Sequence, residues 1–233
     1  MSTADDAPAW FGKIAGLGDF ASRRLNQEVA GALDTWLAQG IETSRAQLGE
    51  HWLNAYLTSP LWRFAWAPGV LDTSWWFGVM MPSVDNVGRY FPLVVLQSRA
   101  ATPTSGDALM RLEQWYAGMA DAALRTLQPD SSLDRFEADL HQAAQTSPLP
   151  VDNNAGAPWD TAPSADRIRC EIPAGAPLAA WIGELTVSEC LRRIQGCSLW
   201  WSLRPGVQGA SSASMAIGLP APLSFARILD GTW

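Results

Sequence analysis

Two stretches, SWWFGVMM from Ser74 to Met81 and YFPLVVLQ from Tyr90 to Gln97, are apolar at nearly every residue, and only eight residues separate them. A strand that is apolar at successive positions has both faces covered, because alternate side chains point to opposite sides of the sheet. A parallel crossover needs about a dozen residues or more, so strands joined this closely pair antiparallel. A third apolar run, Leu61 to Ala67, ends six residues before the first. The three predict an antiparallel meander with helices on both sides.

The remaining chain supplies those helices. Trp10 to Ile14 reads as a short strand entering a glycine-rich turn, Gly16 to Phe20, with a helix to follow. Val29, Leu33, Trp36 and Leu37 fall on one helical face, with Gly40 as the expected stop. A second helix carries Leu48, Trp52, Leu53 and Tyr56. Leu109, Leu112, Tyr116 and Met119 form another stripe, and Leu133, Phe136 and Leu140 a fourth after Ser131 and Asp134. Residues 146–166 contain Pro148, Pro150, Pro158 and Pro163 and predict a long surface loop, in which Trp159 either anchors a partner or folds back. Beyond it, Arg167 to Ile172 reads as a strand and Thr186 with Glu189 as a capping box. Cys197 to Leu203 and Ser212 to Ile217 read as strands joined by a Pro205-Gly206 turn, and Pro222 opens a last helix. Strands return at the end, so the expected fold class is α/β, one domain over residues 1–233 with a mixed, largely antiparallel central sheet.

Charge and composition narrow the function classes. The net charge is -7, and residues 101–166 alone carry three basic and ten acidic groups. This disfavours nucleic-acid phosphates and suits either a solvated helix face or a basic partner. Mean hydropathy is -0.02, and the most suspicious stretch, Leu61 to Met81, contains Arg63, Pro68, Gly69 and Asp72, so no membrane insertion is expected. MSTADDAPAW lacks the basic start and apolar stretch of a signal peptide, which makes the cytoplasm the expected location. Three cysteines and two histidines at these spacings give no zinc or disulfide framework. Cys190 and Cys197 read as small core residues. No metal or cofactor is expected.

Two charged segments stand out against this background. Gly12-Lys13 through Gly16, Gly18, Asp19 and Phe20 invites a phosphate reading, but Lys13 precedes the turn, whereas the lysine of a phosphate loop follows it at a helix start. In the structural reading, Gly16 and Gly18 supply unusual backbone conformations and Asp19 bonds turn amides. Ser83, Asp85, Gly88 and Arg89 fill the connection between the two most buried strands, where they form either a rigid turn or a contact for a ligand or partner. Buried strand ends bring charged groups together for mutual satisfaction, so the two segments are expected to meet. No nucleophile elbow, HExxH or phosphate-loop motif occurs, and no catalytic residue is assigned. The rival reading is a small-molecule or phosphate-binding enzyme using Lys13, Asp19, Asp85 and Arg89. A self-assembling subunit is a third class.

GKIAGLGDF with Arg23-Arg24, the tract from Trp52 and Tyr56 to Trp62-Arg63-Phe64, MPSVDNVGRYFP from Met81 to Pro92, and SLWWS at Ser198 to Ser202 resemble the TagF family of type VI secretion-associated proteins. The resemblance is dense over residues 10–97. It implies a three-layer α/β/α sandwich and a cytoplasmic, post-translational repressor of the secretion machine in a Gram-negative bacterium. It also implies a partner, a forkhead-associated scaffold protein of the apparatus, whose activation through or beside threonine phosphorylation is opposed. Surface members of the set Arg63, Arg89 and Trp159 are the anchors this reading nominates.

Overall fold

Successive residues of Trp75–Met81 are all buried because they enter two different hydrophobic clusters. The computed structural model describes residues 7–16, 18–100, 102, 106–149, 175, 178–202 and 213–233. Along the chain run β1 (Ala9–Gly12), β2 (Ala21–Arg23), α1 (Gln27–Leu48), α2 (Trp52–Leu57), β3 (Trp62–Trp66), β4 (Trp75–Met81) and β5 (Leu93–Arg99). There follow α3 (Gly106–Arg125), α4 (Leu133–Thr146), α5 (Leu178–Arg193), β6 (Cys197–Ser202), β7 (Ala213–Ile217) and α6 (Phe225–Asp230). The strands form one seven-stranded sheet in the order β2-β1-β5-β4-β3-β6-β7.

The meander β3-β4-β5 is as the connection lengths require, and among the described residues every pairing between strands of the sheet is antiparallel, not the mixed pattern expected. Odd and even strand positions separate cleanly. Phe11, Trp62, Phe64, Trp66, Trp76, Met80, Val94, Leu96 and Trp200 join α1, α2 and α6 in one cluster. Trp10, Ala65, Trp75, Phe77, Val79, Met81, Leu93 and Val95 join α3 and α4 in the other. Of the thirteen tryptophans, nine described ones are buried, and they serve the core rather than a surface. Several indole N–H groups reach acceptors: Trp36 donates to Pro220 O, Trp62 to Ile228 O and Trp52 to Ser44 Oγ.

Several local expectations need correction. A strand, β2, precedes the first helix; it is three residues long and takes its register from β1. Gly40 does not end α1, which continues to Leu48 and stops at Gly49, where φ is 53°. Gly40 is instead a packing position: a Cβ there would lie 2.3 Å from the Phe225 ring. Gly78 likewise makes room for the Phe64 ring. On α3, Leu109 faces outward and Trp115 takes its place in the core. The cap of α4 is Ser132, whose side chain accepts from the Arg135 amide. Thr186 lies inside α5 and donates to Ile182 O, so it caps nothing. Cys190 is exposed, whereas Cys197 is buried. Helix α4 covers Thr146; Trp159, the rest of the proline-rich segment from Pro150 onward, Arg167 to Ile172 and the Pro205-Gly206 turn lie outside the described residues. Among the described residues, no helix is long and apolar enough to cross a membrane.

Two glycines of α1 test the packing argument against helix propensity. Gly31→Ala, with nothing near its added methyl, should stabilise by about 0.5–1 kcal/mol. Gly40→Ala should instead destabilise by about 1–3 kcal/mol through overpacking against Phe225. Urea unfolding of both variants checks the opposite signs.

Candidate functional site

The two charged segments of the sequence meet at one end of the central strands. Lys13, just past β1, donates from Nζ to Asp85 Oδ2 at 2.8 Å, and neither side chain has appreciable accessible surface. Asp85 begins the turn between β4 and β5. Its Oδ1 accepts the amides of Val87 (3.1 Å) and Arg89 (2.8 Å), and its Oδ2 also accepts Arg89 Nε (2.7 Å). Main-chain bonds close the same turn: Asp85 N donates to Arg89 O, and Gly88 N to Asp85 O, each at 3.1 Å. Gly88 provides the left-handed conformation this requires, at φ 83°.

Arg89 then ties the turn to the first segment. Its guanidinium donates to Gly18 O and lies 3.9 Å from Asp19 Oδ1. Asp19 Oδ1 in turn accepts the Phe20 amide at 2.8 Å. The Phe20 ring stands 4.7 Å from Lys13 Nζ and edge-on to Phe91 at 4.6 Å. Ser83 works through its backbone: its carbonyl accepts Tyr56 Oη and the Phe91 amide, and its amide donates back to the Tyr56 oxygen. Burial pushes the Tyr56 phenol up, so it remains protonated in this ring of bonds. The unusual glycine backbone of this segment lies at Gly12, not at Gly16 or Gly18, neither of which has a positive φ: Gly12 has φ 133°, and a Cβ there would collide with Pro92 O at 2.0 Å.

Burial opposes the Asp85 charge, but the donors from Lys13, Arg89 and Val87 outweigh it and hold the carboxyl well below the usual carboxylate range. Lys13 and Asp85 are thus spent on each other inside the protein. The accessible surface of the cluster is its outer rim, formed by Gly18, Asp19, Phe20, Asn86, Val87, Gly88 and Arg89. Val87 is 67% exposed, and the Arg89 side chain 54%.

Arg63 does not belong to this rim. It is a buried residue of β3 that donates from Nη1 to Glu113 Oε2 at 2.6 Å and lies over the Tyr116 ring at 5.5 Å. It cannot act as a surface anchor.

A second polar cluster escaped the sequence reading. Glu137 of α4 is buried and accepts Trp10 Nε1 together with a two-pronged donation from Arg24, at 2.7 and 3.2 Å. Arg24 also donates from Nε to Pro8 O, and its backbone is left-handed at φ 61°, a conformation costing roughly 1–2 kcal/mol outside glycine. Burial raises the Glu137 carboxyl, yet the bonds from Arg24 and Trp10 hold it below its ordinary value. The signal available was the Arg23-Arg24 pair, which needed a buried carboxylate that no local pattern on α4 announces.

Both carboxylates ionise more readily in the folded chain than in the unfolded one. Their stabilisation is therefore complete above the ordinary carboxylate range and is lost as pH falls through it toward the depressed values. The urea midpoint should drop steeply below about pH 4. The double variant Lys13→Met/Asp85→Leu should show a shallower acid dependence. Asp85→Leu alone should be the less stable of the two, because it strands Lys13 without a partner.

Comparison with known proteins places this geometry in a family. No curated protein matches the chain. The crystal structure of PA0076 from Pseudomonas aeruginosa PAO1 is similar, with 33% sequence identity, coverage of 97% of this chain and 94% of that one, and a TM-score of 0.76. A family model described as the TagF N-terminal domain, type VI secretion system-associated, matches residues 9–143. That match takes in more than half of the sequence, from β1 to α4, and includes every member of both polar clusters except Pro8, so the chain belongs to the TagF N-terminal domain family of type VI secretion system-associated proteins.

Proposed function

We propose that the protein is a cytoplasmic, non-catalytic regulator that represses type VI secretion by binding a forkhead-associated scaffold protein of the apparatus. In this reading residues 1–233 are one domain built as a three-layer α/β/α sandwich, and the outer rim of the Lys13–Asp85–Arg89 cluster is part of the contact surface. The observation that carries the proposal is the division of labour within the cluster. The groups a catalytic site would need, Lys13 and Asp85, are buried and satisfied by each other and by Arg89. The groups a partner could touch are exposed on the two joined segments: Val87 and Arg89 on the turn fixed by Asp85, and Phe20 on the neighbouring segment, which Arg89 ties to it through Gly18 O. Rigid presentation of an aromatic and an arginine is what a binding anchor requires, since little freedom remains to be lost on association.

The rival enzyme would have to open this cluster and separate a buried ion pair before a phosphate could reach Lys13. Of the three anchors first nominated, Arg63 drops out through burial and Arg89 remains. Trp159 stays a candidate contact outside the described residues.

Val87→Asp changes an exposed side chain on the rim and should leave the thermal transition unchanged. It should raise the Kd for the purified scaffold protein about tenfold or more, equivalent to about 1.4 kcal/mol, and release secretion in cells. Unaltered binding by this variant would remove the rim from the contact. Hydrolysis of a nucleotide or phosphoprotein by the wild type, abolished in Lys13→Met, would replace the binding account with an enzymatic one.

A further inference from the structure

The first half of the rim is a hairpin loop. Strands β1 and β2 pair antiparallel with Trp10 opposite Arg23 and Gly12 opposite Ala21, so residues 13–20, which include Gly18, Asp19 and Phe20, form the closed end. Lys13, Asp85 and Arg89 hold that closed end. The open end is held by Glu137 of α4, which accepts from both sides of the hairpin: from Trp10 Nε1 on β1 and from the Arg24 guanidinium just past β2. Arg23 Nε lies 3.9 Å from the same carboxylate, and the Trp10 ring stands edge-on to that of Phe136, the residue before Glu137, at 5.6 Å.

Strand β2 has little of its own to keep it in place. It is the outermost strand on its side of the sheet, three residues long, with Ser22 and Arg23 exposed and Ala21 half-buried. So short an edge strand buries too little to hold its own register, and elements of this kind open first. The chain leaves β2 through Arg24, whose left-handed backbone at φ 61° turns it toward Leu25 and α1. A residue with a Cβ keeps that conformation when its contacts compensate for the strain. The contacts of Arg24 are its two bonds to Glu137 and the one from Nε to Pro8 O, which together close the open end of the hairpin against α4 and the start of β1.

We infer that Glu137 is a positioning residue for the rim: by gripping Trp10 and Arg24 at once, it keeps β2 on the sheet and Asp19 and Phe20 beside the β4–β5 turn. Without the carboxylate, Arg24 leaves its left-handed conformation, β2 peels from β1, and Asp19 and Phe20 are left with the contacts of the closed end alone. Val87 and Arg89 keep their places, because Asp85 and the main-chain bonds of their own turn hold them independently. The consequence for binding rests on the proposed role of the rim as a contact surface; the consequence for the free chain does not.

Hydrogen exchange of the free full-length chain, read by mass spectrometry, tests the clamp without any partner. Glu137→Leu should speed exchange over residues 18–23 about tenfold, as the loss of charge-assisted bonds requires, while residues 84–90 exchange as in the wild type. In that background Arg24→Gly, which adopts a positive φ without strain, should restore much of the protection, and Arg24→Ala should restore none. Simple loss of an ion pair would make those two variants alike. Equal behaviour of the two, unchanged exchange over residues 18–23 in Glu137→Leu, or an equal rise over residues 84–90 would each overturn the proposal. Should Glu137→Leu not fold, the same comparison of Arg24→Gly with Arg24→Ala in the wild-type chain decides. Affinity for the purified scaffold protein then separates the two readings. A Kd raised by both Glu137→Leu and Val87→Asp supports the positioning role, and a Kd raised by Val87→Asp alone removes Glu137 from it. If neither variant raises the Kd, the rim is not the contact surface, and the clamp stands on the exchange result.

Discussion

A carboxylate with no accessible surface stands where three strands end. Asp85 would be costly to bury alone, since an isolated charge in a low-dielectric interior loses its hydration without compensation. It is tolerated because Lys13, Arg89 and two turn amides all donate to it. Those donors come from different parts of the chain, so the ion cluster also fixes geometry: it fastens the end of β1 to the β4–β5 turn. Buried ion pairs of this kind contribute less to stability than hydrophobic replacements of the same shape, but they penalise any arrangement that leaves a member unpaired. The close approach of Gly12 to Pro92 O completes the junction, because no other residue type fits between the two backbones.

The cluster can sit at strand ends because the strands themselves are held by aromatic packing on alternate positions. Phe64 and Trp66 stack at 4.0 Å, and Trp36 reaches both Trp66 and Trp200 from α1. Large rings packed this closely leave room only where side chains are missing, which is the role of Gly78 beneath Phe64 and of Gly40 beneath Phe225. Arg24 and Glu137 perform for α4 what Lys13 and Asp85 do for the β4–β5 turn. In both places a buried carboxylate gathers donors from the N-terminal segment, so residues 8–24 are tied to two separate elements.

How much of this was legible in the sequence depended on whether the governing contact is local. The meander followed from apolar runs and short connections, since neither depends on distant residues. The meeting of Lys13 with Asp85 also followed, because charged residues beside buried strands must find partners. What escaped was set from far away. Gly40 looked like a helix stop because propensity is local, whereas Phe225 lies nearly two hundred residues on in the chain. The strand β2 has no alternation of its own and exists by pairing with β1. Thr186 and Glu189 match a capping box by spacing, but the helix begins at Leu178. Glu137 reads as one more acid on an acidic helix until Trp10 and Arg24 are placed against it. Arg63 reads as a surface charge until α3 covers it with Tyr116 and Glu113.

The functional proposal depends on the same division between a sealed interior and an exposed rim. A turn locked from within presents Val87 and Arg89 beside Phe20 of the segment joined to it, and membership of the TagF N-terminal domain family directs attention to the secretion apparatus as the source of the partner. Amide hydrogen exchange of the full chain, alone and saturated with the purified forkhead-associated scaffold protein, tests this most directly. The account predicts slowed exchange at Asp19, Phe20 and residues 86–89, with the amides of β4 unchanged. Protection confined to other surfaces, with the rim exchanging as in the free protein, would contradict it.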